Sequence, residues 1–429
     1  MMNKKTCTMV VLGGMLMMTS CASSNKIKTG GAYQVKDNNM QVVHTDENLD
    51  PSFLILSDAQ RKVVEGNNRF ALGLFKQVAG FDSKVVSPLS VSYLMGMLAN
   101  GADGQTLNEI MGAIGCQGVS VDELNAFYKD LMEYSAHADK STVLNIANYV
   151  AVNKAYKLNP IFAKTVSENY QAGVESLDFS SSKTTHHINN WCKQHTDGMI
   201  PSIIDQVEPS AVSYLMNAIF FNGAWQDKFD KKETKLENFQ GYTRDIKKVQ
   251  MMHQRRMYDY FDNDAFSAVE LPYGNGTYTM TVLLPHKDKS IDDMMKTLDV
   301  KQISELRSKM DECVVDLELP KFTTDLELSL NDIISKLGAP SMFDASNANF
   351  SKFGEGNLFV SQMIQKAKIE VSEEGTKAAA VTAGIMAMSA LRPEPRNVEF
   401  HANRPFVYMI TDRMSGSIFF MGQFTGSEI

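Results

Sequence analysis

Hydrophobic and polar positions divide the chain into a first stretch without a regular period and a long remainder that keeps one. From residue 22 to about 57, Gly30-Gly31, Asn38-Asn39 and the mixed-charge run Asp46 to Pro51 interrupt every candidate period, which is the pattern of a tether. A helical period then starts, with Ser57 or Asp58 as N-cap and Val63, Phe70, Leu74 and Phe75 on its apolar stripe. Val85 to Ser90 leads into a second helix ending near Asn100. Leu215 to Trp225 is apolar almost throughout, which suits a strand covered on both faces. Val315 to Phe322 alternates like one half-buried strand. Val269 to Tyr273 and Tyr278 to Pro285 predict two strands joined at Gly274-Asn-Gly276, and a further strand is expected from Leu358 to Val371. There is no internal repeat.

The segment that follows, Val371 to Leu391, is unusual for a connection. From Gly375 onward it holds no proline and one charge, Lys377, and nearly all its side chains are small, whereas long loops are commonly polar and proline-rich. As a strand it would put Thr376, Ala378, Ala380, Thr382, Gly384 and Met386 on one face and Lys377, Ala379, Val381, Ala383 and Ile385 on the other. Lacking proline, it can donate every backbone N–H and so take a place between two strands. Composition alone equally admits an alanine-rich helix.

The flanks carry a resemblance. Glu373-Glu374-Gly375-Thr376-Lys377-Ala378-Ala379-Ala380 resembles the proximal hinge of the reactive-centre loop in inhibitory serpins, and Phe400 to Ile410 resembles that family's C-terminal signature. Val85 to Thr106, Asn190-Trp191 with Thr196 to Pro201, Leu215 to Trp225 and Val315 to Phe322 match further serpin segments in family order. The resemblance implies one domain over residues 58–429 with an α+β serpin fold: a large, mainly antiparallel sheet, two smaller sheets, eight or nine helices, and an exposed reactive-centre loop at about 373–397. It also implies a function without catalytic groups. A target serine protease attacks the loop, an acyl bond forms to the residue before the cut, and the freed hinge enters the main sheet as a new central strand, distorting the trapped protease. By resemblance, Ser87, Ser90, Asn217 and Gln365 form the polar cluster at which the sheet parts. The family commonly has histidine where Gln365 stands; glutamine donates and accepts but acquires no charge, so opening here is expected to be insensitive to pH.

Counting from the hinge places the cut after Ser389, while counting back from Phe400 reaches Leu391 or Arg392, which Pro393 follows; Met388-Ser389 and Ser389-Ala390 are the expected bonds. Small and medium side chains suit elastase-like or subtilisin-like pockets, with papain-like cysteine proteases a further possibility. A non-inhibitory binding or structural lipoprotein is the alternative; bulky, charged or proline residues would be expected in its hinge.

Composition narrows the picture. With 429 residues and 44% hydrophobic content the chain can bury a large core. Lys4 and Lys5 precede a short apolar run, Met9 to Met18, and then Met18-Thr-Ser-Cys21. Residues 1–20 are therefore expected to be a signal peptide, and Cys21 resembles the acylated cysteine of a bacterial lipobox. That implies a lipid anchor on residues 21–57 in the cell envelope, and Ala22 in place of aspartate favours the outer membrane, on its periplasmic or surface side. Loss of the two lysines takes the net charge from −8 to −10, which disfavours nucleic acid as a partner. Cys116, Cys192 and Cys313 remain, an odd number that implies no disulfide framework. Neither Gly-x-Ser-x-Gly nor His-Glu-x-x-His occurs, and the lone Gly274-x-Gly276 lacks a phosphate-binding context. His186, His187, Cys192 and His195 would point several ways on a helix. The expectation is a monomer with no cofactor and no metal.

Overall fold

The computed structural model describes residues 54–376 and 394–426. The expected signal peptide, Cys21, most of the tether, hinge residues Lys377, Ala378, Ala379 and Ala380, and the scissile candidates Met388, Ser389 and Ala390 lie outside the described residues.

In chain order, α1 (Asp58–Val78), β1 (Lys84–Val86), α2 (Pro88–Gly101), α3 (Gly104–Ala113) and α4 (Val121–Ser135) precede the long strand β2 (Thr142–Asn153). Then come β3 (Lys157–Leu158), α5 (Pro160–Tyr170), β4 (Gly173–Leu177), α6 (Thr184–His195) and β5 (Ser213–Ala224). The middle of the chain forms β6 (Lys235–Gln240), β7 (Ile246–Asp262), β8 (Phe266–Pro272), β9 (Tyr278–Pro285), α7 (Ile291–Thr297) and α8 (Val300–Leu306). Next are β10 (Asp311–Pro320), β11 (Phe322–Ser329), α9 (Asn331–Lys336), β12 (Gly354–Glu355), β13 (Gln362–Val371) and the short β14 (Gly375–Thr376). Past the loop, β15 (Asn397–His401), β16 (Phe406–Asp412) and β17 (Ile418–Phe424) end the fold.

The six-stranded sheet runs β11-β13-β5-β2-β4, with β14 added on β5. It is mixed: β13 runs parallel to β5 and antiparallel to β11. The other long strands form a single path, β1-β17-β16-β9-β8-β7-β10-β15, with β6 on β7. Where two smaller sheets are expected, β7 joins them, because its 17 residues pair with β6 and β10 along one part and with β8 at the other end. β12 and β3 make a separate ribbon.

Local chemistry sets several boundaries. Ser57, not Asp58, caps α1: its hydroxyl accepts from Gln60 N–H while the Gln60 side chain accepts from Ser57 N–H, a reciprocal capping box. Leu54 and Leu56 are already buried in the core, so the folded unit begins ahead of residue 58. The run from Val315 to Phe322 is two strands in two sheets. Its buried positions switch from odd to even at Leu319-Pro320, and the chain crosses between sheets at Lys321. The strand expected from Leu358 starts only at Gln362.

The main core packs α2 against the six-stranded sheet. Pro88 fits the first turn of α2, and 13 of that helix's 14 residues are buried, as a helix apolar on all sides requires. β5 is covered on both faces. Leu215, Ile219 and Phe221 face this main core, while Tyr214, Met216 and Ala218 face a smaller one beneath α6 with Ile188 and Cys192.

Candidate functional site

β13 leaves the sheet at Val371 and the chain doubles back at once. Ser372 N–H donates to Gly375 O at 2.8 Å and Gly375 N–H returns the bond at 3.1 Å. This turn is fastened to the end of β5. Trp225 N–H donates to Glu374 O and Phe229 N–H to Glu373 O, both at 3.0 Å, and the Trp225 indole donates to Ser372 O at 2.9 Å. The indole is stacked on Tyr273, with ring centroids 4.3 Å apart. Gly375 has φ 123°, and a Cβ there would stand 2.3 Å from Gly223 O and 2.5 Å from Trp225 N. Only glycine fits both the dihedral and the space.

Beyond the turn, Gly375 pairs with Ala224 and Thr376 with Gly223, antiparallel to β5. β2 fills the opposite edge of β5 as far as Thr142↔Gly223. So β14 and β13 share one edge, β13 occupying it from Gln362↔Tyr214 to Lys368↔Phe220. The first two residues of the small-residue segment therefore stand at the mouth of a gap that β13 closes.

The hinge acids are anchors. Glu373 is 5% exposed, accepts from Thr234 Oγ1 at 2.8 Å and meets Lys321 Nζ at 2.9 Å. Burial alone would raise its carboxyl, but these hydrogen bonds and the lysine outweigh burial and hold it below the usual range. Hydrogen bonds from Lys228 and Lys231, at 2.8 and 3.0 Å, lower Glu374 similarly.

Lower down, the four predicted polar residues come together. Gln365 on β13 accepts from Ser87 N–H at 3.0 Å, donates to Ser87 O at 2.8 Å, and reaches Asn217 Oδ1 on β5 at 3.4 Å. The hydroxyls of Ser87 and Ser90 are 2.8 Å apart at the start of α2. Two further members were not predicted. Asn217 donates to Asn148 on β2 at 2.9 Å, and Asn148 donates to Tyr170 O at 3.1 Å. Gln365↔Asn217 and Asn217↔Asn148 are register partners, so one buried polar row crosses three strands on the main-core side. A polar residue inside the apolar run of β2 was the only available signal.

The helical His/Cys group does not converge. His187 faces Glu175, His186 bonds Asn190, and His195 stacks on Trp191, while Cys192 is buried with its thiol toward Ile200 O. Burial pushes the Cys116 and Cys192 thiols up to about 12, which makes them inert packing groups.

Comparison with known proteins gives this geometry a family. The family model described as serpin (serine protease inhibitor) matches residues 65–426. The chain is similar to Iripin-2 of Ixodes ricinus, 32% identical over 387 residues covering 87% of this chain and 96% of that protein. It is likewise similar to the human leukocyte elastase inhibitor, 32% identical over 375 residues covering 84% and 98%. Among solved structures, the thermophilic serpin tengpin in its native state superposes with a TM-score of 0.78 at 28% identity, covering 87% of this chain and 95% of that one.

Two predictions follow from the geometry. Gln365→Leu leaves Ser87 N–H and O without their buried partner and is expected to destabilise the fold by about 1–3 kcal/mol in urea unfolding. Glu373→Gln removes a carboxylate whose folded pKa is depressed, so the stabilisation it contributes is complete above the unfolded value of about 4.3 and is lost as pH falls through the folded one. The variant is expected to be less stable by about 1–2 kcal/mol at pH 7, with the difference closing as pH falls well below 4; unfolding curves showing an equal gap at both ends would contradict the assignment.

Proposed function

The chain belongs to the serpin family, and we propose that it is an irreversible suicide-substrate inhibitor of serine proteases. The observation that carries this reading is β14: a segment of small residues begins on the edge of β5 in the antiparallel sense that an inserted strand needs. Continued without slip, its register sets Ala378 opposite Phe221, Ala380 opposite Ile219 and Thr382 opposite Asn217, all on the main-core side of β5. Side chains no larger than threonine fit beneath a sheet already closely packed. Lys377 would fall on the opposite face.

In the proposed cycle the protease cuts at Met388-Ser389 or Ser389-Ala390. The carbonyl carbon before the cut becomes an ester on the enzyme's nucleophile, and the new amine leaves with the C-terminal part of the loop. The freed strand then moves down β5, displacing β13, and its Thr382 enters the polar row beside Asn217 and Gln365. Inserting roughly a dozen residues orders them at about 1–2 kcal/mol each and forms about twenty backbone bonds at about 1 kcal/mol net. Those terms nearly cancel, so in this proposal the drive comes from packing against the core. Met, Ser and Ala at the cut suit an elastase-like or subtilisin-like pocket. The human relative's name, leukocyte elastase inhibitor, supports the first of these. We further propose that Cys21 is lipidated and holds the domain on the bacterial envelope through the tether. This rests on Lys4-Lys5, the apolar run and Met18-Thr-Ser-Cys21; Cys21→Ala is then expected to move the chain from the membrane to the soluble fraction.

Mixing the chain lacking residues 1–21 with pancreatic elastase or subtilisin is expected to give a complex that survives boiling in detergent and a released peptide beginning at Ser389 or Ala390. Thr376→Arg puts a cation on the core-facing side of the entering strand. It is expected to be cut at the same bond with most of the complex lost; undiminished complex in that variant would contradict insertion.

A further inference from the structure

The nine-stranded sheet carries a second constellation, on the strands that receive the chain after the loop. The antiparallel register of β7 with β10 pairs His253 with Glu318, and the parallel register of β10 with β15 pairs Glu318 with His401. Register partners share a face, so the three side chains stand in one row across three strands. Glu237 reaches the same place from β6. His253 Nε2 is 3.0 Å from Glu237 Oε1, His253 Nδ1 is 4.0 Å from Glu318 Oε1, and His401 Nε2 is 3.7 Å from Glu318 Oε1. One ligand atom each from Glu237, His253 and Glu318 lie within 4.8 Å of one another. Nε2 of His401 is buried and has no hydrogen-bond partner among the described residues. The four side chains are 19–33% exposed, open enough for an ion to enter and covered enough to restrain them.

One imidazole nitrogen and two carboxylate oxygens are the start of a donor set for a divalent transition metal, and His401, outside that group with its unpartnered Nε2 3.7 Å from Glu318, is near enough to turn in as a fourth donor. Bonds of about 2.0–2.2 Å in a tetrahedron require donors roughly 3.3 Å apart, and with one ligand atom each from Glu237, His253 and Glu318 already within 4.8 Å of one another, small side-chain rotations reach that spacing. No local sequence motif announces the set, because its members are scattered from residue 237 to residue 401 and only strand pairing assembles them. We propose that Glu237, His253 and Glu318 bind a divalent transition metal of the Zn2+ class and that His401 turns in from β15 to complete its ligands. The ion ties β15 to β10, β7 and β6. β15 lies at the edge of the sheet, pairs with β10, and is the first strand after the loop, so the metal adds a cross-link where backbone pairing is one-sided. Binding to the folded state alone raises its stability by mass action.

Co2+ titrated into the chelator-treated full chain is expected to bind one to one with the strong visible absorption of a tetrahedral N/O site, and equimolar Zn2+ is expected to abolish that signal. Zn2+ is also expected to raise the melting temperature, reversibly on adding chelator. His253→Asn and His401→Asn should each lower the affinity at least tenfold and remove the thermal shift. Glu237→Gln, on β6, serves the same purpose if a histidine variant does not fold. The absence of saturable binding below millimolar metal, or undiminished binding in folded variants at these positions, as ions on His186 or His187 would give, would overturn the proposal.

Discussion

The pairing of β13 with β5 is the contact on which the rest of the molecule turns. Parallel strands with a common core beneath them normally stay together, yet here a third segment is fastened at the head of their seam by Trp225, Phe229 and Gly375. A buried polar row crosses the seam and meets the N-terminus of α2. Such a row suits an interface that holds one register and, under the proposed insertion, parts. Its hydrogen bonds are directional, so the closed register is unique, and each partner left unsatisfied during opening adds to the barrier. An apolar seam would part and slip with less discrimination. Glutamine at position 365 makes three bonds in this row through a group that does not titrate, so the seam's strength is set by geometry.

The two ends of the loop are held differently. On the entering side, acids carry the restraint. Glu373 and Glu374 are each matched by lysines, which fixes the turn and aims the following residues along β5. On the leaving side, β15 rests on one neighbour, and the His–Glu row is the place where further restraint can be added. The lane beside β5 is open only at its mouth.

Much of this was legible in the chain. The small-residue segment, the glycine at 375, the apolar run of β5 and four members of the polar row all announce themselves through local composition or through resemblance to serpins. What the sequence withholds is whatever depends on strands far apart in it. Asn148 looks like an ordinary polar position until β2 is set against Asn217. Lys321 looks like part of one strand, and it becomes Glu373's partner only because the chain changes sheets there. The helical His186, His187, Cys192 and His195 are near in sequence and diverge in space, while Glu237, His253, Glu318 and His401 are remote in sequence and converge. Ser57 and Asp58 were equivalent caps on paper, and the reciprocal bond with Gln60 decides between them.

Under the proposed insertion, β5 and β13 part and the segment after Gly375 fills the seam. Thermal unfolding of the intact chain, compared with the same chain cut once within residues 388–390, tests it most directly. A large rise in melting temperature is expected after the cut, because the entering strand gains a complete set of backbone partners and buries its small face. An unchanged or lowered melting temperature would contradict it and leave the hinge as a surface turn.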